Sequence, residues 1–316
     1  MKWKVDLVFL VDRVFAYCWL GLLLLCTATS RPLVAQVDSV FEAAFDLAYE
    51  AAFAYDEAGA YPEAVAAMEE AYQLAVAQEH WPYAILYALG EKANLLNQYD
   101  QLRAYYETIQ LGQELTEKHF TALGEDGDYT RYFFSSSLGY YYFRRGSYHR
   151  AEDIYRELYT NFQRNAPDSI HQLSEITREL GLIEHRKGNY ELSLEYYQQS
   201  LGLAEQDESG YFEVSDLAFL KKRMADVYKD LQQPRPAEAL YREALQILAN
   251  TPLTYRRLRN RILAVYRDYA DFELQRGDAA KALDLLVKSI PVHTDDDPAY
   301  VETYRRLGEV HAAQAD

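Results

Sequence analysis

The side chains of this chain that can do chemistry are ions and rings rather than nucleophiles. Lys222 has Asp226 four residues on, Arg267 has Asp271 and Arg305 has Glu309. At that spacing opposite charges meet on one helical face and contribute about 0.2–0.5 kcal/mol per pair, so these three cations can simply be neutralised by their own helices. Arg178 differs: Leu182 follows it by four and Ser174 precedes it by four, which leaves Glu175 at i−3 as its only well-placed acid. It is the best single candidate for contact with an anionic partner. Tyr49, Phe53, Tyr87, Phe133 and Tyr140 form a second set. Such rings can anchor apolar side chains of a partner or, at helical spacing, fill core between helices.

Covalent and cofactor chemistry finds no support. The sequence has no H-E-x-x-H, no glycine-rich phosphate loop and no G-x-S-x-G. Its 2 cysteines, Cys18 and Cys26, both lie near the start. The 7 histidines are scattered, and His185, beside Arg186, reads as a solvated edge rather than a base. The acidic runs at residues 125–128 and 295–297 lack the alternating aspartates and final glutamate of a calcium loop. No catalytic, cofactor-binding or metal-ligating residue is therefore expected, and the chain reads as a non-enzyme.

The elements that must position the ions and rings are helix hairpins. Residues 137–159, SLGYYYFRRGSYHRAEDIYRELY, read as one helix ending near Phe143, a tight turn at Arg145-Gly146-Ser147 and a second helix from Tyr148. Leu138-Gly139 on the first helix and Ala151, four before Tyr155, on the second are small or slim where two backbones must approach. With Gly146 as a ruler, the turn recurs at Gly59, Asn97, Gly188, Gln232 and Gly277. Second helices repeat a small residue followed four later by a bulky one: Ala64 and Met68, Ser193 and Tyr197, Ala237 and Tyr241, Ala282 and Leu286. That spacing puts both on one face. The second repeat departs, with Leu102 and Tyr106, so its hairpin is expected to open slightly. First helices carry Ala51-Ala52, Leu89-Gly90, Leu180-Gly181, Met224-Ala225 and Tyr269-Ala270, and Leu307-Gly308 starts a seventh.

This pattern of L-G, Y, G-x-Y and A-x-x-x-Y resembles the tetratricopeptide repeat, here with repeats of about 40 residues rather than the minimal 34 or so, as in exported bacterial members. The resemblance implies an all-α, right-handed superhelical solenoid whose concave surface is lined by first helices and binds extended partners. It also implies groove residues at the fifth and ninth positions of each first helix, with the L-G pair as seven and eight. The fifth positions are then Tyr49, Tyr87, Ser136, Arg178, Lys222, Arg267 and Arg305. The ninth are Phe53, Glu91, Tyr140, Leu182, Asp226, Asp271 and Glu309. The groove would be aromatic towards the N-terminus and cationic towards the C-terminus, suited to an acidic peptide or a C-terminal carboxylate. The two-carboxylate clamp of some chaperone-binding relatives, which needs asparagines at a ninth and the next sixth position, is not expected.

Composition agrees with helix packing: 29 tyrosines against 9 prolines and 14 glycines in 316 residues. Tyrosine suits packing in which the ring is buried and the hydroxyl reaches water. A net charge of −17 argues against nucleic acid or an anionic membrane as partner. At the N-terminus, Lys2, Lys4 and Arg13 precede the uncharged run Val14 to Cys26 and a small-residue exit, the pattern of a secretory signal peptide cleaved after Ala35. The alternative is an anchor over residues 14–30; a lipoprotein at Cys26 is opposed by the bulky Leu25 before it. Removing residues 1–35 leaves 28 basic against 47 acidic residues, with no thiol.

The expected organisation is a signal peptide over 1–35 and a solenoid over 36–316. Its hairpins fall near 40–78, 80–120, 130–163, 170–205, 213–249 and 255–291, with a terminal helix at 298–314. The expected function is an exported interaction scaffold, in the periplasm or at the cell surface, binding an extended or acidic protein or peptide. The alternative is the sensor input of a histidine kinase or transcription regulator of which this chain is a fragment or stand-alone copy; a scaffold for glycan or nutrient uptake ranks third.

Overall fold

At six places the chain passes from one helix to the next through the same turn. In the one at Gly146, the Gly146 amide donates to the Phe143 carbonyl and the Ser147 amide to the Tyr142 carbonyl, both at 2.9 Å. This paired closure ties up carbonyls that the helix end leaves orphaned, and it needs a residue at positive φ. Gly59, Asp100, Gly146, Gly188, Gln232 and Gly277 supply it, with φ from 58° to 83°, and all six turns repeat the same two bonds.

The turn of the second repeat is therefore at Asp100 and not at Asn97. Asn97-Gln98-Tyr99 imitates G-x-Y, but Asn97 stays helical, and Asp100 takes the left-handed conformation that a short polar side chain tolerates. Successive turns then lie 41, 46, 42, 44 and 45 residues apart. The register shifts with it. Tyr105 and Ile109, both buried, hold the positions assigned to Leu102 and Tyr106, and Ala93 rather than Gly90 is the small residue of the first helix. No departure remains for an opened hairpin to explain.

A computed structural model describes residues 33–78, 81–124, 126–206, 214–249, 256–292 and 303–310. The helices are α1 (Leu33–Glu57), α2 (Tyr61–Val76), α3 (Pro82–Gln98), α4 (Leu102–Leu123), α5 (Asp126–Arg144), α6 (Tyr148–Asn165), α7 (Ile170–Lys187), α8 (Tyr190–Ala204), α9 (Val214–Asp230), α10 (Pro234–Leu248), α11 (Arg256–Gln275) and α12 (Ala279–Ser289). A 3₁₀ turn, Ile290–Val292, follows, and residues 303–310 are helical again. No strand occurs among the described residues. Apart from residues 33–35, which open α1, the signal-peptide segment lies outside the described residues, as do both cysteines and most of 298–314. No helix among the described residues is long and apolar enough to cross a membrane.

The chain divides into two compact units, residues up to Phe134 and residues from Ser135 onward. In the first, α1 to α4 pack in chain order; in the second, α6 to α12 do the same. Small residues set the spacing within each hairpin. Ala52, Ala93, Ala225 and Ala270 are almost wholly buried on first helices, facing the buried second-helix residues one turn beyond Ala64, Tyr105, Ala237 and Ala282. Gly139 and Gly181 are the extreme cases. A Cβ on either would sit 2.8 Å from a tyrosine ring, Tyr155 or Tyr197, where no real Cβ fits. In the first unit Phe134 fills the space left by Gly112 on α4 in the same way.

Gly181→Ala should therefore destabilise the chain although alanine is the better helix former by about 1 kcal/mol. Overpacking typically costs about 1–3 kcal/mol, and Tyr197 is fully buried with no room to yield. Gly202→Ala on α8, where nothing lies within 4 Å, should instead stabilise by about 0.5–1 kcal/mol. Urea unfolding of the two variants checks the opposite signs.

Candidate binding surfaces on the first helices

In the first unit the rings of α1 and α3 form one ladder. Tyr49 stacks on Phe45 at 5.8 Å, packs on Phe53 at 5.0 Å and stacks across to Tyr87 of α3 at 5.3 Å; Tyr87 stacks on Tyr83 at 5.7 Å. Burial, a hydrogen bond with Tyr87 and the charge of Glu91 together push the Tyr49 hydroxyl above its ordinary pKa. Tyr49 is thus the rung that ties α1 to α3, whereas Phe53, Tyr83 and Tyr87 are 42%, 49% and 42% exposed. The stripe is both core and surface. With Ala93 as the eighth residue, Gly90 and Asn94 take the fifth and ninth positions, and Tyr87 lies one turn earlier on α3. A shallow open cleft runs between α3 and α5, lined by Tyr83, Tyr87, Gly90, Glu91, Tyr129 and Phe133 among others.

In the second unit the expected cations have different fates. Arg178 is paired with two acids rather than with Glu175 alone: its Nη2 is 3.5 Å from Glu175 and 3.1 Å from Glu179, and its Nε donates to Glu179 as well. The adjacent residue can do this because the long guanidinium side chain folds back along α7. Lys222 is buried, 2.8 Å from Asp226 and also paired with Asp268 of α11. The Tyr241 hydroxyl donates to the same Asp226 at 2.6 Å. Burial would raise the Asp268 pKa, but Lys222 and Arg267 outweigh it and hold the carboxyl below its ordinary value. Lys222 is therefore a structural charge joining α9, α10 and α11, not a groove cation. Arg267 pairs with Asp268 at 3.1 Å instead of Asp271, which is taken by Arg306. Arg305 does pair with Glu309. His185 is no solvated edge: its side chain is 11% exposed and its Nε2 lies 2.7 Å from Asp230 of α9. Burial lowers its pKa, against the pull of Asp230.

Two further residues bear on this face: Arg223, which spacing did not single out, and Tyr197, which spacing assigned to packing alone. Arg223 lies over the Phe219 ring at 4.8 Å, and no described carboxylate forms an ion pair with its guanidinium. It is close enough to Tyr140 and Tyr197 to oppose the rise that burial imposes on both hydroxyls. The signal was present at i+3, where Asp226 offers a partner, but Lys222 and Tyr241 have already claimed that carboxylate. Tyr197 is the other: its buried hydroxyl has no partner, while the equivalent Tyr155 hydroxyl donates to the Ser136 carbonyl at 2.9 Å.

A buried glutamate holds neighbouring hairpins together at two corresponding places. Glu184 of α7 accepts from Lys187 at 2.9 Å and Asn189 at 2.6 Å, and Lys187 reaches Glu152 of α6 at 2.7 Å. Glu273 of α11 pairs with Lys281 at 2.8 Å and Arg276 at 3.1 Å, and both cations reach Glu238 of α10. Glu184 and Glu273 replace the ring found at the same place in Tyr55, Tyr142 and Tyr228. No group of acids, histidines or cysteines able to hold a metal occurs among the described residues.

Residues 172–250, which span α7 to α10, match the family model described as tetratricopeptide repeat. The same turn and small-residue position recur in the hairpins on either side, and the fold is that of a tetratricopeptide repeat solenoid. Solved structures share the fold. BtubC from P. vanneervenii aligns with a TM-score of 0.54 at 21% identity over 66% of this chain and 83% of its own. The apo form of RapI aligns at 0.58 and 12% identity over 94% of this chain and 99% of its own. The signal transduction ATPase PH0952 from Pyrococcus horikoshii, which has a tetratricopeptide repeat sensor, aligns at 0.55 and 15% identity over 90% of this chain and 40% of its own. No curated protein sequence matches this chain.

The inter-hairpin glutamates give a pH dependence of definite sign. Lys281 and then Arg276 hold the Glu238 carboxyl below its ordinary pKa, and Lys187 and Arg156 do so for Glu152 against burial. A depressed folded-state pKa means that the contribution is complete above the unfolded value of about 4.3 and is lost as pH falls through the folded one. The double variant Glu152→Gln/Glu238→Gln should be less stable than the parent near neutrality and should converge with it as pH falls below about 4. Thermal melts across that range check this.

Proposed function

We propose that this chain is a non-enzymatic protein-interaction scaffold whose second unit takes an acidic or carboxylate-bearing peptide on its first-helix face. The observation that carries the reading is Arg223. It is a half-buried cation that forms no ion pair with a described carboxylate and lies over the Phe219 ring, next to Lys222, which is already matched by two aspartates. A cation of that kind gains a charge-assisted contact when an anion arrives and gives up no ion pair to make it. Arg178 supports the same end, since its Glu175 contact is long at 3.5 Å and its guanidinium can be shared. The fold supports the coarser part of the proposal, because stacked hairpins present first helices to extended partners. The pattern of residues 1–35 supports export to the periplasm or cell surface as part of the same reading.

Titration of an acidic, free-carboxylate peptide against the whole chain tests it. Arg223→Ala should weaken binding by at least about 1 kcal/mol, roughly fivefold or more, and Arg178→Ala should also weaken it. Unchanged affinity in an Arg223→Ala protein of normal helicity would contradict the assignment.

A further inference from the structure

The first unit differs sharply from the second in charge. Residues 33–134 carry 18 acidic against 4 basic side chains, a formal −14, whereas residues 135–316 carry 29 against 24, a formal −5. Three of those four cations are already matched within the unit: Lys92 with Glu69, Arg103 with Glu107 and Arg131 with Glu117. The cleft between α3 and α5 opens on this acidic surface, and its rim is tyrosine. Tyr83, Tyr87 and Tyr129 are 49%, 42% and 54% exposed. Two of them are held parallel, interplanar angle 12°, by the ladder that continues through Tyr49.

We infer that this cleft receives an arginine side chain of a basic partner segment. The inference rests on the scaffold reading and assigns this second surface a partner of opposite charge to the one proposed for the second unit. Two observations select arginine over an apolar side chain. Tyrosine faces present negative charge to a cation, and a planar guanidinium both stacks on them and carries five donors. Glu91 lines the cleft, and burial together with the charge of Asp126, the first residue of α5, raises the Tyr83 hydroxyl pKa, so both helices of the cleft contribute a carboxylate. Gly90 lets the Phe133 ring pack closely as the floor of the cleft: a Cβ there would lie 3.1 Å from that ring. A basic segment is also steered to the cleft by the negative field of the whole unit, which a purely apolar ligand would not feel.

The test uses the whole chain and a labelled peptide of alternating leucine and arginine, with a copy carrying citrulline, the neutral isostere, at every arginine. The arginine peptide should bind and the citrulline copy should bind at least tenfold more weakly. Tyr83→Ala/Tyr87→Ala, which leaves the net charge unchanged, should cost the arginine peptide at least tenfold. Tyr83→Leu, which keeps apolar area and disturbs the ladder less, should show a smaller loss for the arginine peptide and none for the citrulline copy. Retained affinity for the acidic peptide shows that these variants are folded. Equal binding of the arginine and citrulline peptides would overturn the inference in favour of an apolar groove. An arginine peptide insensitive to both tyrosine variants would overturn it in favour of diffuse attraction. Either result leaves the scaffold reading standing if the acidic peptide still binds; failure of both peptide classes to bind the parent chain overturns both.

Discussion

The Tyr155 ring against Gly139, and the Tyr197 ring against Gly181, set how closely the two helices of a hairpin can approach. A tyrosine carries roughly 150–250 Å² of surface into such a contact, and the glycine makes room for it at the backbone. The turn then has only one solution. Its amides must return to carbonyls three and five residues back, and a single residue at positive φ closes the loop. Because that residue lies seven positions after the small one in every hairpin, one short-range rule fixes the register of α1 to α12. The first-helix face turned away from the partner helix is left for other uses.

Those uses divide by charge. In the second unit most ions are committed to holding helices together. Lys222 satisfies two aspartates and Asp226 serves a lysine and a tyrosine, while Glu184 and Glu273 sit in ring positions and recruit cations that bridge to the previous hairpin. Buried pairs of this kind are costly to break from one side because the remaining charge is stranded. They are poor material for transient recognition, and Arg223, which has no such commitment, is better. In the first unit the balance is reversed: cations are scarce, rings are exposed, and the field is negative.

The fold was legible because its determinants are local. L-G, G-x-Y and A-x-x-x-Y act within one hairpin, so spacing alone carries them, and residues 137–159 were enough to set the ruler. The same ruler slipped at Asn97 because N-Q-Y imitates G-x-Y, and only the backbone shows that Asp100 bears the positive φ. The site was less legible for a physical reason. An i, i+4 rule pairs Lys222 with Asp226 correctly but cannot see Asp268 on α11, nor that Asp271 is taken by Arg306. Charge partners between hairpins are set by stacking, which pairwise spacing does not encode. Arg223 stands at a sixth position, which a rule that reads fifth and ninth positions does not sample.

Small-residue and ring contacts close the hairpins and leave first-helix faces to bind partners. Amide hydrogen exchange on the whole chain, alone and with each peptide, tests it most directly. New protection is expected on α7 and α9 with the acidic peptide and on α3 and α5 with the arginine peptide, while α4, α8 and α10 exchange as before. Protection confined to those second helices would contradict it.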